Sequence, residues 1–409
     1  MNQPLVLDPT GRDRDAESAV LHRAAATPVD ILGVQAWAVA DPAVLRELLR
    51  DPRVSKDAHQ HWPQLPKAID DWPLALWVAV KNMFTAHGSD HRRLRRLVSA
   101  AFTARRIEAL KPRVEAITDS ILDHLHSLPA GQPVDLREHL AYPLPIRVIG
   151  DLMGLPDTLA ANFRTTVDGV FDTTLTTTQA QANTAALYAM LDELIRVKRQ
   201  TPDNDMTTLL IDARDTEGDG SALTEQELRD TLLLVISAGY ETTVNLISNA
   251  LAALLTDPAQ LAHVHAGRAT WADVVEESLR HNAPVAHLPM RYATEDIELP
   301  DGTVIRKGEP ILASYAAAGR HPRAHGDNAA DFDALRGDKE HLAFGHGVHF
   351  CLGAPLARLE AEAALRKFYD RFPDATLLTG ARLDPVDSLI SNGPANLSVR
   401  LNPKTTTTS

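Results

Sequence analysis

Hydrophobic positions recur every three to four residues over most of this chain, which is the spacing of amphipathic α-helices. Short runs rich in β-branched residues interrupt them and predict β-strands. Helices are predicted over 42–50, 90–101, 107–126, 136–152, 159–175, 179–199 and 225–256. Strands are predicted over 29–32, 36–39, 297–305 and 311–315. The pattern indicates a mainly α protein with small β-sheets.

The longest predicted helix begins after Thr224 and ends near Thr256. Thr224 and Glu227 have the spacing of a capping box, and an Asp-Pro pair follows Thr256. Residues 232–239 are almost all apolar, so the middle of this helix should be buried on all sides. A glycine and an ionisable Glu241 in that buried middle break the rules for helix interiors and cores. Such a conflict in a core indicates a functional position.

Cys351 is the only cysteine among 409 residues, and it lies in a glycine-rich stretch just before a predicted helix. Pro355 suits the first turn of that helix, which tolerates a missing N–H. Free amides and the macrodipole at a helix N-terminus favour negative charge, so we expect a lowered thiol pKa and a thiolate able to bind metal. Alternatively, Cys351 is one of the many buried, inert cysteines of protein cores.

Composition limits the classes of protein to which the chain can belong. We expect a single domain over 1–409, with mobile tails over about 1–20 and 404–409, because no linker divides the chain. The net charge of −13 argues against nucleic acid as a partner. No apolar run approaches the roughly 20 residues of a membrane span, and no signal peptide pattern is present. A cytoplasmic protein is therefore expected. Residues 59–87, rich in Trp and Pro, predict a long ordered loop.

The segment Phe344-Gly345-x-Gly347-x-His349-x-Cys351-x-Gly353 resembles the haem-binding signature of the cytochrome P-450 family. The resemblance covers nearly the whole chain and implies the cytochrome P-450 fold, with haem b between the long central helix and the Cys351 loop. It implies Cys351 as the iron ligand and O2 as co-substrate. A thiolate ligand pushes electron density toward O–O cleavage. Cofactor-binding positions implied on both sides of the haem are Ala238, Phe344, Gly345, His349, Cys351 and Gly353.

The segment Ala238-Gly-Tyr-Glu-Thr-Thr243 resembles the oxygen-activation motif of that family. The resemblance assigns Glu241 and Thr242 to proton delivery, which is general acid–base chemistry. The alternative is a buried Thr that bonds only to the carbonyl one turn earlier. Tyr240 stands where relatives often have His, and Gly319 to Pro322 depart from the usual Asn-Arg-Asp-Pro of relatives.

The resemblance also assigns charged residues away from the reacting centre. His91, Arg95, Arg291 and His349 are implied as ligands of the haem propionates, to which cationic donors form charge-assisted hydrogen bonds. Glu277, Arg280 and Arg336 are implied as a structural ion network, which follows the family's Glu-x-x-Arg signature.

The expected substrate is a hydrophobic small molecule resembling a steroid, a macrolide or another secondary metabolite. The pocket residues predicted for it are Leu234, Ala238, Val285, Leu288 and Ile390. Between His91 and Arg113 eight Lys/Arg accompany one Glu, and in this family that region borders the thiolate side of the haem. We expect a ferredoxin-type electron donor to bind this basic proximal face.

The resulting hypothesis is a haem-thiolate monooxygenase that inserts one oxygen atom from O2 into its substrate. One alternative keeps the fold but catalyses oxidative coupling. A second is a non-catalytic haem-binding or gas-sensing protein. A third is a cysteine hydrolase using His349 and Cys351, although near neighbours in one loop rarely align as nucleophile and base.

Overall fold

The computed structural model describes residues 3–129, 131–218 and 220–401. The helices are α1 Arg14–Leu21, α2 Pro42–Arg50, α3 Ala58–His61, α4 Leu65–Asp71, α5 Leu76–Ala79, α6 Gly88–Ser99, α7 Ala104–Ser127, α8 Pro143–Met153, α9 Asp157–Phe171, α10 Thr177–Gln200, α11 Met206–Asp212, α12 Glu225–Thr256, α13 Pro258–His265, α14 Trp271–His281, α15 Tyr315–Gly319, α16 Pro322–His325 and α17 Ala354–Arg371. A π-helix spans Arg137–Ala141 and a 3₁₀ turn spans Gly347–His349.

The strands are short. They are β1 Leu5–Val6, β2 Thr27–Ile31, β3 Val34–Val39, β4 Val54–Ser55, β5 Pro133–Asp135, β6 His287–Ala293, β7 Ile297–Glu298, β8 Val304–Ile305, β9 Pro310–Ser314, β10 Thr376–Leu377 and β11 Ser398–Arg400. Within the described residues, six of them form a mixed sheet in the order β1-β2-β3-β9-β6-β4. Its edge strand β4 pairs antiparallel with β6, with Val54 opposite Ala293 and Ser55 opposite Tyr292.

Helix α12 crosses the helical part of the molecule and packs against α8, α10, α14 and α17. It begins with the predicted capping box, in which Thr224 Oγ1 accepts from the Glu227 amide at 3.2 Å. Among the described residues, α12 is the helix that is long and apolar enough to cross a membrane, but 78% of that apolar window is buried inside the protein. It is therefore a core helix, as its continuous apolar run predicts.

Three predicted features differ in the structure. Residues 59–87 are not one long loop: Asp57 caps α3, a proline begins α4, and α5 follows. The predicted helix over 136–152 is divided into the π-helix and α8, because Pro143 has no N–H to continue the first segment. Residues 5–21, expected in a mobile tail, form β1 and α1, and Leu7 and Leu21 are buried. The tail over 404–409 lies outside the described residues.

Candidate active site

The Cys351 loop is closed by a backbone hydrogen bond from the Cys351 amide to the Phe344 carbonyl, 2.9 Å long. Gly345 and Gly347 have φ values of 72° and 70°, in the left-handed region that favours glycine. A Cβ at Gly347 would also lie 2.9 Å from the Leu49 carbonyl of α2. These glycines let the loop turn tightly just before α17. The loop therefore presents Cys351 close to the N-terminus of that helix.

Burial raises the pKa of the Cys351 thiol. Hydrogen bonds from the Gly353 and Ala354 amides, and the positive charges of Arg95 and Arg358, oppose that effect. The expected help from the helix N-terminus is therefore present, and the enclosed position of the thiol acts against it. Since a coordinating thiol is deprotonated outright, metal binding itself would supply the driving force for the thiolate.

Cys351 faces a cavity of about 230 Å³ between the loop and α12. Ala238, Gly239 and Thr242 form its α12 wall. The opposite wall includes the loop residues Phe344, Gly345, His349 and Gly353. The structure therefore brings together the two segments that the sequence pattern singled out.

The middle of α12 fits closely against its neighbours. A Cβ at Gly239 would lie 2.6 Å from Ile149 Cδ1, so this glycine allows α8 to approach. Thr242 Oγ1 donates to the Ala238 carbonyl at 2.7 Å. This is the bond to the carbonyl one turn earlier that a purely structural threonine would form. Thr242 also lines the cavity, so its hydroxyl is held at the wall opposite Cys351.

Glu241 points to the other side of α12 and is not among the residues that line the cavity. It forms a buried ion pair with Arg137 of the π-helix, with Nη2 and Oε1 3.0 Å apart. Ser391 Oγ donates to the same oxygen at 3.0 Å, and Asn245 Nδ2 donates at 3.3 Å. Oε2 is buried without a hydrogen-bond partner in the described part of the chain. Sequence reasoning missed Arg137, because its pairing depends on packing between distant segments.

Tyr240 lies beside Glu241 in a second buried polar group. Burial, and then the nearby Asp168 and Tyr142, raise the pKa of Tyr240 far above its ordinary range. Burial and the negative charge of Glu241 raise the pKa of Asp168 to about 6. Tyr240, which stands where relatives often have His, therefore carries an uncharged hydroxyl at physiological pH.

Basic residues occupy one end of the cavity. The rings of His91 and His349 lie 4.1 Å apart, and Arg95 Nη2 donates to the Phe350 carbonyl at 2.8 Å. Burial, and then Arg95, lower the pKa of His91 to about 4, while burial and Arg291 lower the pKa of His349 further. His91 Nε2 is buried without a hydrogen-bond partner among the described residues.

This donor set fits the carboxylates of a haem. Arg95, Arg291 and His349 line the cavity, and no ion pair joins any of them to a carboxylate in the described part of the chain. Acidic groups from a ligand would supply the missing negative charge. Lys56 is a further cation at this end that sequence reasoning missed.

Glu277, Arg280 and Arg336 meet as predicted. Arg280 Nη2 and Glu277 Oε1 are 2.7 Å apart with both side chains fully buried, and Arg336 Nε lies 3.2 Å from the same oxygen. Arg280 also donates to the Gly319 carbonyl at 2.8 Å. Gly319 begins the segment 319–322, which departs from the pattern of relatives. A Cβ at this position would lie only 2.0 Å from the Arg280 carbonyl oxygen, so a glycine allows the segment to pack against α14.

Four of the five residues predicted for the substrate pocket line one cavity. Leu234, Ala238, Val285 and Leu288 line an apolar pocket of about 110 Å³ that adjoins the Cys351 cavity. Ile390 does not line the cavity: it is fully buried in the core cluster that lies behind Phe171, Trp77 and Val285. Trp77 and Phe84, both in the Trp-rich segment 59–87, form the pocket's aromatic wall together with Phe171.

Three of the eight cations in the predicted basic surface are neutralised. Arg93, Arg96 and Arg113 form ion pairs with Glu227, Asp215 and Asp151. Exposed side chains without an ion pair in the described part of the chain are Arg92, Arg105, Arg106 and Lys111. Beside this helix pair the Cys351 loop exposes Val348 and Phe350, at 65% and 42%. The surface is therefore an apolar centre with neighbouring positive charge.

Comparisons with known proteins agree with this geometry. The family model "Cytochrome P450" matches residues 152–267 and 271–388. The chain is 40% identical over 403 residues to 2-hydroxy-5-methyl-1-naphthoate 7-hydroxylase of Streptomyces carzinostaticus, covering 97% of each chain. It is 41% identical over 346 residues to cytochrome P450 monooxygenase PikC of Streptomyces venezuelae, covering 84% of this chain and 80% of that one.

Solved structures share the whole fold. CYP154A1 from Streptomyces coelicolor A3(2) is 60% identical with a TM-score of 0.94, covering 97% of this chain and 100% of that chain. Testosterone-bound CYP154C4 from Streptomyces sp. ATCC 11861 is 39% identical with a TM-score of 0.93, covering 98% and 99%. The chain therefore belongs to the cytochrome P450 family and is a P450 monooxygenase similar to those of actinomycetes.

Proposed function

We propose that the protein holds haem b through the Cys351 thiolate and inserts one oxygen atom from O2 into a flat, polycyclic, hydrophobic small molecule. The observation that carries the proposal is the placement of Cys351 and Thr242 on opposite walls of one cavity that also has a cationic end. The family membership and the hydroxylase names of its relatives support it.

The bound haem would supply the oxygen-activating chemistry, and the protein supplies binding, orientation and electrostatics. Cys351 would hold the haem iron through its thiolate, with the Gly353 and Ala354 amides stabilising its negative charge. His91, Arg95, Arg291 and His349 would bind the propionates. Thr242 would hold a proton-donating hydroxyl at the distal wall, and Glu241 would pass protons toward it after leaving Arg137.

The apolar pocket indicates the substrate class. Trp77 packs edge-to-face on Phe84 and Phe171, with ring centroids 6.3 and 5.3 Å away. The polar side chains in this wall are already used: Asn82 donates to the Asp230 carbonyl and Ser237 to the Leu233 carbonyl. Such a wall favours aromatic or steroid-like rings. This agrees with relatives named for a naphthoate and solved with testosterone.

We propose a ferredoxin-type donor on the face formed by Val348, Phe350 and the unpaired cations of α6 and α7. An acidic partner with an apolar contact point would match that surface, with charge mainly raising the rate of encounter. Reduction by the donor should then slow markedly between low and high salt. Equal rates would count against this partner. We also propose a cytoplasmic location, where such soluble donors act.

Oxidative coupling is the second candidate, because Glu241 is held by Arg137 and not beside Thr242 in the cavity. A solved P450 that is 29% identical, CxnD, is named for C–S bond formation, with a TM-score of 0.85. In coupling, the product gains no atom from O2.

The two candidates separate in one experiment. The holoprotein is supplied with a surrogate ferredoxin and reductase, NADPH, ¹⁸O2 and polycyclic probes such as naphthalene derivatives and testosterone. A monooxygenase gives products that contain one ¹⁸O atom. Coupled products without the label would favour the second candidate, and turnover of neither kind with any probe would contradict the proposed substrate class.

A further inference from the structure

Lys56 is a buried lysine at the cationic end of the Cys351 cavity. It is 3% exposed, and it lies directly after β4. Its Nζ donates to the Pro289 carbonyl at 3.2 Å and lies 3.8 Å from the centroid of the Phe84 ring. Because an ammonium has three donors, this lysine has hydrogen-bonding capacity beyond these contacts.

A second buried cation, Arg291, lies near Lys56. Lys56 follows β4, which pairs with β6, and Arg291 belongs to β6. Arg291 is 4% exposed, and both residues line the same cavity. Burial strengthens the repulsion between two neighbouring positive charges. No ion pair joins either residue to a carboxylate in the described ranges.

Both cations line the same cavity as Arg95 and His349. Lys56 does not line the adjoining apolar pocket, although Phe84, Leu234 and Val285 line both spaces. Burial, and then the charge of Arg291, hold the pKa of Lys56 well below its ordinary value. An anion bound between the two side chains would offset the repulsion and favour the charged form of Lys56.

We propose that Lys56 and Arg291 together bind one carboxylate of the cofactor, a haem propionate, an inference that rests on the proposed function. Lys56 thus joins His91, Arg95, Arg291 and His349 as a positioning residue for the haem. The shared chemistry is carboxylate recognition by two cations. A carboxylate on the substrate is the other source, but the position of Lys56 in one cavity with Arg95, Arg291 and His349 favours the cofactor.

The test uses purified holoprotein and measures the rate of haem transfer to excess apomyoglobin. Lys56→Met removes one charge-assisted hydrogen bond, so haem should leave about tenfold faster than from the wild type. Lys56→Arg, which keeps the charge, should restore slow loss. Lys67→Met is the matched control, because Lys67 is exposed on α4, and its rate should equal that of the wild type.

Resonance Raman spectra of the same samples report the propionates directly. The propionate bending bands should shift in Lys56→Met and stay in place in Lys67→Met. Unmoved bands, or haem loss within about twofold of the wild type, would overturn the proposal. If Lys56→Met instead fails to retain haem during expression, recovery of haem content in Lys56→Arg supports a charge requirement, and failure of both variants to fold contradicts it.

Spectral titration with 1-naphthoate and with neutral 1-naphthalenemethanol tests the substrate source. Weaker binding of the anion alone in Lys56→Met, with haem loss unchanged, would assign Lys56 to the substrate and overturn the cofactor assignment. A wild-type protein without haem would refute the proposed function itself. Haem-replete wild type with unaffected variants would refute only the role of Lys56.

Discussion

Glu241 and Arg137 form an ion pair 3.0 Å long behind the central helix, with side chains that are 5% and 2% exposed. The π-helix that carries Arg137 brings the guanidinium under α12, where it also donates to Asn245 at 2.8 Å. The carboxylate that the motif assigns to proton delivery is therefore held on the side of α12 away from the cavity. To deliver protons to the cavity, the Glu241 side chain must first leave Arg137. The contribution of this ion pair to the free energy of unfolding can be measured.

Arg137→Met should lower the free energy of unfolding of the holoprotein by about 3–5 kcal/mol, because it leaves the Glu241 charge buried and uncompensated. Urea unfolding followed by circular dichroism measures this loss. The double variant Arg137→Met, Glu241→Gln should recover a large part of it. Arg12→Met is the control, because Arg12 pairs with Asp387 on the surface and such pairs contribute roughly 0–1 kcal/mol. Equal losses in Arg137→Met and Arg12→Met would contradict the importance of the buried pair.

Glu277→Ala should yield little haem-containing protein. Glu277 is fully buried and pairs with both Arg280 and Arg336, so its removal leaves two cations without their carboxylate, at a cost of about 3–5 kcal/mol. The ratio of haem absorbance to protein absorbance after purification measures the effect. Glu298→Ala, at an exposed position of β7, should purify like the wild type. Normal haem content in Glu277→Ala would refute the structural role of the network.

Gly319→Ala should destabilise the protein by about 1–3 kcal/mol, the usual cost of overpacking a core. The added Cβ would lie 2.0 Å from the Arg280 carbonyl oxygen, so α15 must move away from α14. Gly337→Ala is the matched control, since a Cβ there meets nothing within 4 Å. The melting temperatures of the Gly319→Ala and Gly337→Ala holoproteins measure the difference in stability. A Gly319→Ala variant as stable as Gly337→Ala would show that the close approach can be relaxed without cost.

Glu360 gives a prediction for pH. Its carboxyl is buried in α17 at 1% exposure, Oε2 has no hydrogen-bond partner among the described residues, and burial raises the pKa well above 4.5. As pH rises above about 4.5, the unfolded chain ionises here whereas the folded protein keeps the proton. Folding stability should therefore fall with rising pH, by about 1.4 kcal/mol per pH unit from this group.

Glu360→Gln removes that dependence, so its stability relative to the wild type should increase from pH 5 to pH 8. Urea unfolding at several pH values measures the difference. Glu108→Gln, at an exposed position of α7, provides the control and should follow the wild type. A constant difference between Glu360→Gln and the wild type over this range would show that Glu360 is ionised in the folded protein.

Local sequence signals predicted the elements that meet at the site. The capping box and apolar run gave α12, the glycines and Pro355 gave the Cys351 loop and α17, and the Glu-x-x-Arg spacing gave Glu277 and Arg280. Each signal lies within one element and its ends, where propensity and capping act. The resemblance to a known family then related these elements to one another.

Side-chain directions and distant partners were not predictable in the same way. The pairing of Glu241 with Arg137 joins segments 104 positions apart, and Lys56 and Arg291 line one cavity although they are distant in the sequence. Ile390 belongs to an irregular segment, whose apolar residues do not reveal which face is buried in the core.

The spectrum of carbon monoxide bound to the dithionite-reduced holoprotein tests the central proposal most directly, because the Soret position reports the axial ligand. Wild-type protein should show the large red shift of thiolate-ligated haem, and Cys351→Ser should lose it. A globin-like spectrum in the wild type, or an unchanged spectrum in Cys351→Ser, would contradict thiolate ligation by Cys351.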